Sequence, residues 1–461
     1  MAMPWRATML GPAPPMGYAA RPIRTRRTTL GMHASIGLLA RRRFLPLFVT
    51  QFLGAFNDNL FKTAMVLFVT YEVYSDPRVE AWFNAIATGL FILPFFLLSA
   101  LSGQLADTRD KARIVRLVKT AEIGIMAVGA TGLLLSSVAQ GWSIGLMLLA
   151  VLAMGVHSTF FGPIKYAILP QHLKEDEVLG GTGLVEAGTY IAILAGTILA
   201  GFMSRNEGAV AVTVLGVAAL GWLSGRQVPP APPLGDTPPL DFHIVRSSIR
   251  LVSATMHIPR LFLAICAISF FWAIGSILVV IFPPLVKNVF TADETVASLF
   301  LGIFSVGVAI GSVLINRLLG AHVSARYAPA AVIAMGMAVL FMFHVANGWQ
   351  GQPEGHLYSL AEFTHHPGAI EVFAALFGVA VCGGMFVVPL YAFLTTTVAK
   401  DQTARTVAAN NIVNSGAMVL GSLAIMGLTA MGVTVVQSLL LVAAMCLVSA
   451  WIAWKLHCAC D

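Results

Sequence analysis

The sequence predicts an all-α integral membrane protein with twelve transmembrane helices. Two observations predict it. Of the 461 residues, 57% are hydrophobic and 11% charged, with a mean hydropathy of +0.82, and no soluble domain has an interior large enough to hide that much apolar surface. The apolar residues also fall in runs of about twenty, the length of helix that crosses hydrocarbon. These runs lie at 44–73, 82–106, 113–138, 142–166, 182–204, 208–227, 260–287, 296–318, 326–346, 369–397, 404–428 and 431–456.

Residues 1–43 precede the first run. They are rich in Pro and Arg, contain no acidic residue and lack the long apolar core of a signal peptide, so the segment is expected to be disordered. A mitochondrial-type presequence fits this composition, and so does an upstream extension of a chain that starts at Met32.

The first run carries opposite charges, Asp58 and Lys62, at mid-membrane depth. A lone ionised side chain at the bilayer centre costs roughly 3 kcal/mol, so such groups face a cavity or a partner. Gln51, Asp58 and Lys62 are spaced by seven and four residues and fall on one stripe of a helix. Two readings stand: an i,i+4 ion pair that orients the helix, or part of a transport pathway.

The loop after the second run reads Gly103-Gln-Leu-Ala-Asp107-Thr-Arg109-Asp110-Lys111-Ala-Arg113. It resembles the major facilitator signature G-x-L-x-D-R/K-x-x-x-R/K. Gly103 allows close helix approach, while Asp107 can pair with Arg109 or Arg113 and bond a neighbouring helix terminus, forming a latch. The equivalent loop of the second half, Asn316 to His322, is degenerate, so the latch is expected on one side only.

Two short segments recur in order. Pro163-Ile-Lys165-Tyr166-Ala-Ile-Leu169 resembles Pro389-Leu-Tyr391-Ala-Phe-Leu394 with one residue deleted, and Gly183-Leu-Val-Glu186-Ala-Gly188 resembles Asn411-Ile-Val-Asn414-Ser-Gly416. This suggests parallel six-helix repeats with Glu186 and Asn414 in equivalent places. Between the sixth and seventh runs, six prolines from Pro229 to Pro239 mark residues 228–259 as an extended, semi-rigid linker. Bundles at 44–227 and 260–456 would flank it, with a tail at 457–461. Six, linker, six is the layout of the major facilitator superfamily, two pseudo-symmetric six-helix bundles.

All basic residues but Lys62, Arg78, Arg205 and Lys287 fall on one side of the membrane in this topology. By the positive-inside rule that side, with both termini and the linker, is cytoplasmic. The net charge of +7 therefore needs no nucleic-acid partner, although it favours contact with anionic membrane lipids. The five cysteines match no metal or haem spacing, and His344, His356, His365 and His366 lack ordered ligand spacing. No cofactor and no metal are expected. No nucleophile with a positioned base is visible either, so the chain is not read as an enzyme.

Several stretches are similar to one family. Gln51 to Lys62 with its Asn57-Asp58-Asn59 core, Phe161 to Leu173, Leu184 to Thr189 and Ala408 to Asn414 resemble the bacterial lysophospholipid transporter family and the transporter domain fused to acyltransferase and acyl-ACP synthetase domains. The likeness runs from Arg43 to Trp454; because the chain ends at Asp461, the fused domains are expected to be missing. The resemblance implies transfer of lysophosphatidylethanolamine and lysophosphatidylglycerol from the outer to the inner leaflet of the bacterial inner membrane, for reacylation by a separate acyltransferase or synthetase. Such a headgroup needs a cation for its phosphate and a carboxylate or amide for its ammonium or glycerol, so substrate contact is expected at Asp58, Asn59, Lys62, Lys165, Tyr166, Glu186, Asn411 and Asn414; the signature loop places gating at Gly103, Asp107, Arg109 and Arg113.

Each assignment has a plainer counterpart. Lys165 can snorkel to the cytoplasmic surface, Glu186 near the start of the fifth helix can serve the helix dipole, and Asn410, Asn411 and Asn414 can bond neighbouring helices. Glu122, near a cytoplasmic helix end, reads as gating or structural. Two other functions stay open: a proton-coupled exporter of amphipathic drugs with Asp58 or Glu186 as proton carrier, and a non-transporting scaffold for an acyltransferase.

Overall fold

The structure is a computed structural model that describes residues 37–69, 73, 77–203, 206–234, 239–320, 322–351 and 356–460. Twelve long helices dominate it: α1 Leu45–Phe68, α2 Pro77–Thr108, α3 Lys111–Leu134, α4 Gln140–Ala167, α5 Glu175–Met203, α6 Glu207–Gly225, α7 Pro259–Pro284, α8 Glu294–Leu318, α9 Ala328–Asn347, α10 Ala369–Thr396, α11 Thr403–Ala430 and α12 Val435–Cys460. Among the described residues, eleven helices are long and apolar enough to cross a membrane on their own. The exception is α1, where Gln51, Asn57, Asp58, Asn59 and Lys62 dilute the apolar content.

Local chemistry sets several helix starts. The carboxylate of Asp110 accepts the Ala112 N–H at 2.9 Å and opens α3, Asn206 caps α6 through Ala209 at 2.9 Å, and Asp293 caps α8 through Thr295 and Val296. Each such cap satisfies an orphan donor of the first turn. Pro259 opens α7, where a missing N–H costs nothing.

Packing follows a two-fold plan. In the first half α1 packs on α5 and α6, α2 on α4, and α3 on α4 and α6; in the second, α7 packs on α11 and α12, α8 on α10, and α9 on α10 and α12. Adding six to each helix number converts the first set into the second. The halves meet through α2 with α11 and α5 with α8, two contacts that the same operation exchanges.

Close approach at equivalent places fixes the pairs. A Cβ on Gly155 of α4 would lie 2.4 Å from the Phe91 carbonyl oxygen of α2, and one on Gly384 of α10 would lie 2.3 Å from the Val308 carbonyl oxygen of α8. Backbone contact of this kind drives helix association where lipid removes the hydrophobic advantage of burial.

Four expectations change. Residues 1–36 lie outside the described residues, but the basic segment is ordered from Gly37: a 3₁₀ turn runs to Ala40, Leu38 is buried, and Arg43 reaches Glu177 at 2.6 Å and the His172 carbonyl at 3.1 Å. The linker is not extended throughout, because Ile244–Met256 forms an amphipathic helix packed against α2, α7 and α11. Asp241 leads into it; the His243 amide bonds to its carboxyl and holds it below the usual carboxylate range. Helix α5 begins seven residues before position 182, at Glu175. The expected tail from 457 continues α12 to Cys460.

Gly384→Ala is expected to cost about 1–3 kcal/mol through forced separation of α8 and α10. Gly416→Ala, with nothing within 4 Å of its Cβ, is expected to be neutral or to stabilise by up to about 1 kcal/mol. Thermal melting of the detergent-purified variants checks the contrast, and equal melting temperatures would remove the close-approach account.

Candidate functional site

A cavity of about 500 Å³ lies between the halves. The stripe on α1 lines it with Gln51, Asp58, Asn59 and Lys62, facing Ser158 and Lys165 of α4 and Asn411 and Asn414 of α11. Phe91, Phe95 and Phe161 supply apolar wall. Six of the eight residues expected at the substrate therefore border one space. Tyr166 and Glu186 do not; they sit one layer behind, buried.

Asp58 and Lys62 do not form the i,i+4 ion pair. Among the described residues neither enters an ion pair within 4 Å. Asp58 instead accepts the Ser158 hydroxyl at 2.6 Å through Oδ2, while its Oδ1 is buried without a partner. The Lys62 ammonium stands 5.2 Å from the centroid of the Phe91 ring. Lys165 lines the cavity rather than reaching the surface, its ammonium 4.8 Å from the Tyr166 ring centroid. The cavity thus offers a carboxylate oxygen and two ammonium groups without strong partners of their own.

The floor, toward the linker, is the Tyr391 ring, backed by a second ring stacked on it. Tyr166 of α4 and Tyr391 of α10 lie with centroids 4.8 Å apart and planes 6° from parallel. Each hydroxyl is held from the next helix at the equivalent place: Tyr166 donates to Glu186 of α5, and Asn414 of α11 donates to Tyr391 at 3.5 Å. Trp272 adds a donor to Tyr391 at 2.9 Å, and Ser269 fixes the Asn414 amide oxygen at 2.7 Å. Glu186 lies eleven residues, three turns, inside α5, too deep for the dipole of the helix start.

Beneath the floor the halves are latched. Asp107 at the end of α2 accepts the Ala404 and Arg405 N–H groups at 3.2 Å each and the Arg405 guanidinium at 2.9 Å, at the start of α11. Gly103 makes room for it, since a Cβ there would fall 2.6 Å from the Ala408 Cβ. Arg109 and Arg113, the expected partners, point away and are exposed. Arg405 had no signal in the sequence, being 298 residues from Asp107. At the equivalent contact a Cβ on Gly183 of α5 would fall 2.5 Å from the Ser312 carbonyl oxygen of α8, and no ion pair joins these helices among the described residues.

Behind α1 lies a polar cluster of which the sequence analysis singles out only Glu122. Glu122 accepts Lys119 at 2.6 Å and Asn57 at 3.1 Å, and His157 stands 3.3 Å away; Lys119 is 0% exposed. Glu122 is midway along α3, not near its end. Two charges at i,i+3 in one apolar run were the available signal. His157 also touches Ser158 at 3.5 Å, so the cluster reaches the cavity at Asp58.

Residues 47–422 match the Major Facilitator Superfamily. The lysophospholipid transporter LplT of Cronobacter sakazakii is 24% identical over 82% of this chain and 85% of its own length, and LplT of Photorhabdus laumondii is 25% identical over 77% and 80%. Among solved structures, the human organic anion transporter MFSD10 superposes with a TM-score of 0.68 at 14% identity over 90% of this chain and 99% of that one. A bacterial homologue of the iron transporter ferroportin in an outward-facing state gives 0.67 at 14% over 91% and 100%.

Asp107→Ala removes three hydrogen bonds and Arg405→Ala one, so the first is expected to weaken the latch more. In a cysteine-free background carrying Asn411→Cys, labelling by a water-soluble thiol reagent from the linker side should rise about tenfold with Asp107→Ala, the effect of about 1.4 kcal/mol, and less with Arg405→Ala. The reverse order would remove the backbone contribution. Lys119→Met alone strands the Glu122 carboxylate and is expected to cost about 3–5 kcal/mol. Lys119→Met with Glu122→Gln should recover much of that in the melting temperature, and no recovery would mean the charges are not coupled.

Proposed function

The chain belongs to the major facilitator superfamily, and within it we propose that it moves lysophospholipids across the membrane by alternating access. The observation that carries this reading is the pairing of charges with apolar wall in one cavity. Lys62 and Lys165 suit a phosphate, the free Oδ1 of Asp58 suits the ammonium or hydroxyl of a headgroup, and Asn411 and Asn414 add amide contacts. Phe91, Phe95 and Phe161 suit a single acyl chain. The similar LplT proteins are named for the same substrate class.

In this reading the substrates are lysophosphatidylethanolamine and lysophosphatidylglycerol, and the membrane is the bacterial inner membrane with the linker side cytoplasmic. The stacked tyrosines and the Asp107 latch close the cytoplasmic end, so the substrate enters from the outer leaflet. When α2 parts from α11, Tyr166 and Tyr391 separate and the headgroup passes between them to the inner leaflet. A separate acyltransferase or acyl-ACP synthetase then restores the second chain. Glu186 and Tyr166 act on the floor rather than on the headgroup, and Arg109 and Arg113 lie outside the latch.

A proton-coupled exporter is the competing reading, favoured by the run Asp58, Ser158, His157, Glu122 that leads from the cavity into the first half. A collapsed proton gradient stops such an exporter, whereas downhill lipid transfer continues.

Uptake of labelled lysophosphatidylethanolamine into spheroplasts of a strain lacking its own transporter tests the proposal. Expression of this chain should restore uptake in the presence of an uncoupler, and Asp58→Asn and Lys62→Ala should each remove most of it at normal membrane insertion. Wild-type uptake in both variants, or no uptake with the native chain, would overturn the assignment.

A further inference from the structure

A second space, of about 860 Å³, lies on the outer flank of the first half. Helices α2 and α3 both rest on α4 but touch each other little, leaving a groove between them. Its walls are apolar: Leu105 from α2, Ile114, Leu117 and Ile125 from α3, Ala153 and Phe160 from α4. Leu117 is 64% exposed and Ala121 beside it is also exposed, so the groove opens sideways toward the bilayer.

Its mouth is basic. Arg109 and Arg113 border it at the linker end, both exposed and neither in an ion pair among the described residues. Asp110 shares the mouth, but its Oδ1 already accepts the Ala112 and Ala231 N–H groups at 2.9 and 3.1 Å. At the far end His157 is 6% exposed and turned to Glu122. Charge complementarity therefore points to an anion at the mouth and hydrocarbon behind it.

The dimensions narrow the occupant. From Ile114 to Ile125 the groove runs eleven residues of helix, about 16 Å, or half of the ~30 Å hydrocarbon core. It has the depth of one leaflet, with two guanidinium groups at headgroup level. Guanidinium forks match phosphate oxygens in a bidentate manner.

We propose that this groove binds an anionic phospholipid of the linker-side leaflet, one acyl chain lying between α2 and α3 and the phosphate held by Arg109 and Arg113. The site is separate from the substrate cavity, which His157 alone of these named residues also borders. It accounts for two arginines that the Asp107 latch leaves unused.

Native mass spectrometry of the purified full chain, with phosphatidylglycerol, phosphatidylethanolamine and phosphatidylcholine of identical acyl chains, tests it. Phosphatidylglycerol should be retained about fivefold or more above phosphatidylcholine, the scale of basic side chains meeting an anionic headgroup. Arg109→Gln with Arg113→Gln should abolish that preference, and Ala121→Trp, which fills the groove and keeps both charges, should lower retention of all three lipids. Asp58→Asn, in the central cavity, should leave phosphatidylglycerol retention unchanged. Equal retention of the three lipids by the native chain would mean ordinary annular lipid and overturn the proposal. So would retention unaffected by the arginine pair, loss with Asp58→Asn, or displacement by soluble glycerol phosphate. Ala121→Leu replaces the tryptophan variant if the latter does not elute as a folded monodisperse species.

Discussion

An ionised side chain inside hydrocarbon has to be surrounded by protein groups that take over the part of water, and here that requirement converges on Glu122. Its carboxylate meets Lys119 on its own helix, His157 on α4 and Asn57 on α1. Three helices are thereby pinned in register by one group, since sliding α1 or α4 by a turn would take a polar partner away from a buried carboxylate. The register passes directly to the cavity. Asn57 and Asp58 are adjacent on α1, about 100° apart around it, so the contact that turns Asn57 toward Glu122 turns Asp58 toward Ser158.

Repetition makes the second layer intelligible. Tyr166 with Glu186 and Tyr391 with Asn414 are the same construction on the two halves, and their rings stack where the halves meet. The copies differ in one respect: a carboxyl stands behind one hydroxyl and an amide behind the other. Only the first can exchange a proton with its surroundings, so whatever sensitivity the floor has to its electrostatic environment resides in the first half.

What could be read without coordinates had a short range. Apolar runs marked the helices because each run reports its own crossing of the bilayer, and the spacing of Gln51, Asp58 and Lys62 marked a cavity face because it is internal to one helix. Asp107 was visible as a gate residue but its partner was not, because nothing local to Asp107 points to α11. In the sequence Lys119 and His157 each resemble a common feature, a positive-inside lysine and a lone histidine; their meaning exists only where α3 and α4 touch. The linker helix was obscured by the prolines before it, which ended at Pro239 and left Ile244–Met256 free to fold. Glu186 lies on the expected helix but deeper in it, because the polar residues Glu175 to Glu177 that open α5 precede the apolar run that marks it in the sequence.

The linker helix has a mechanical consequence. It packs on α2 and on α11, the two helices that Asp107 and Arg405 join, and the chain leading into it is tied to α2 where Gln104 accepts the Asp241 N–H at 2.9 Å. The seam is therefore fastened twice, by a polar clasp within the membrane edge and by a strap laid across it. Fasteners in parallel share the load: neither has to be strong enough to hold the seam alone, and neither has to be so strong that thermal motion never opens it. Strength divided in this way can be adjusted in small steps, one residue at a time, without passing through a state that is either jammed or permanently ajar.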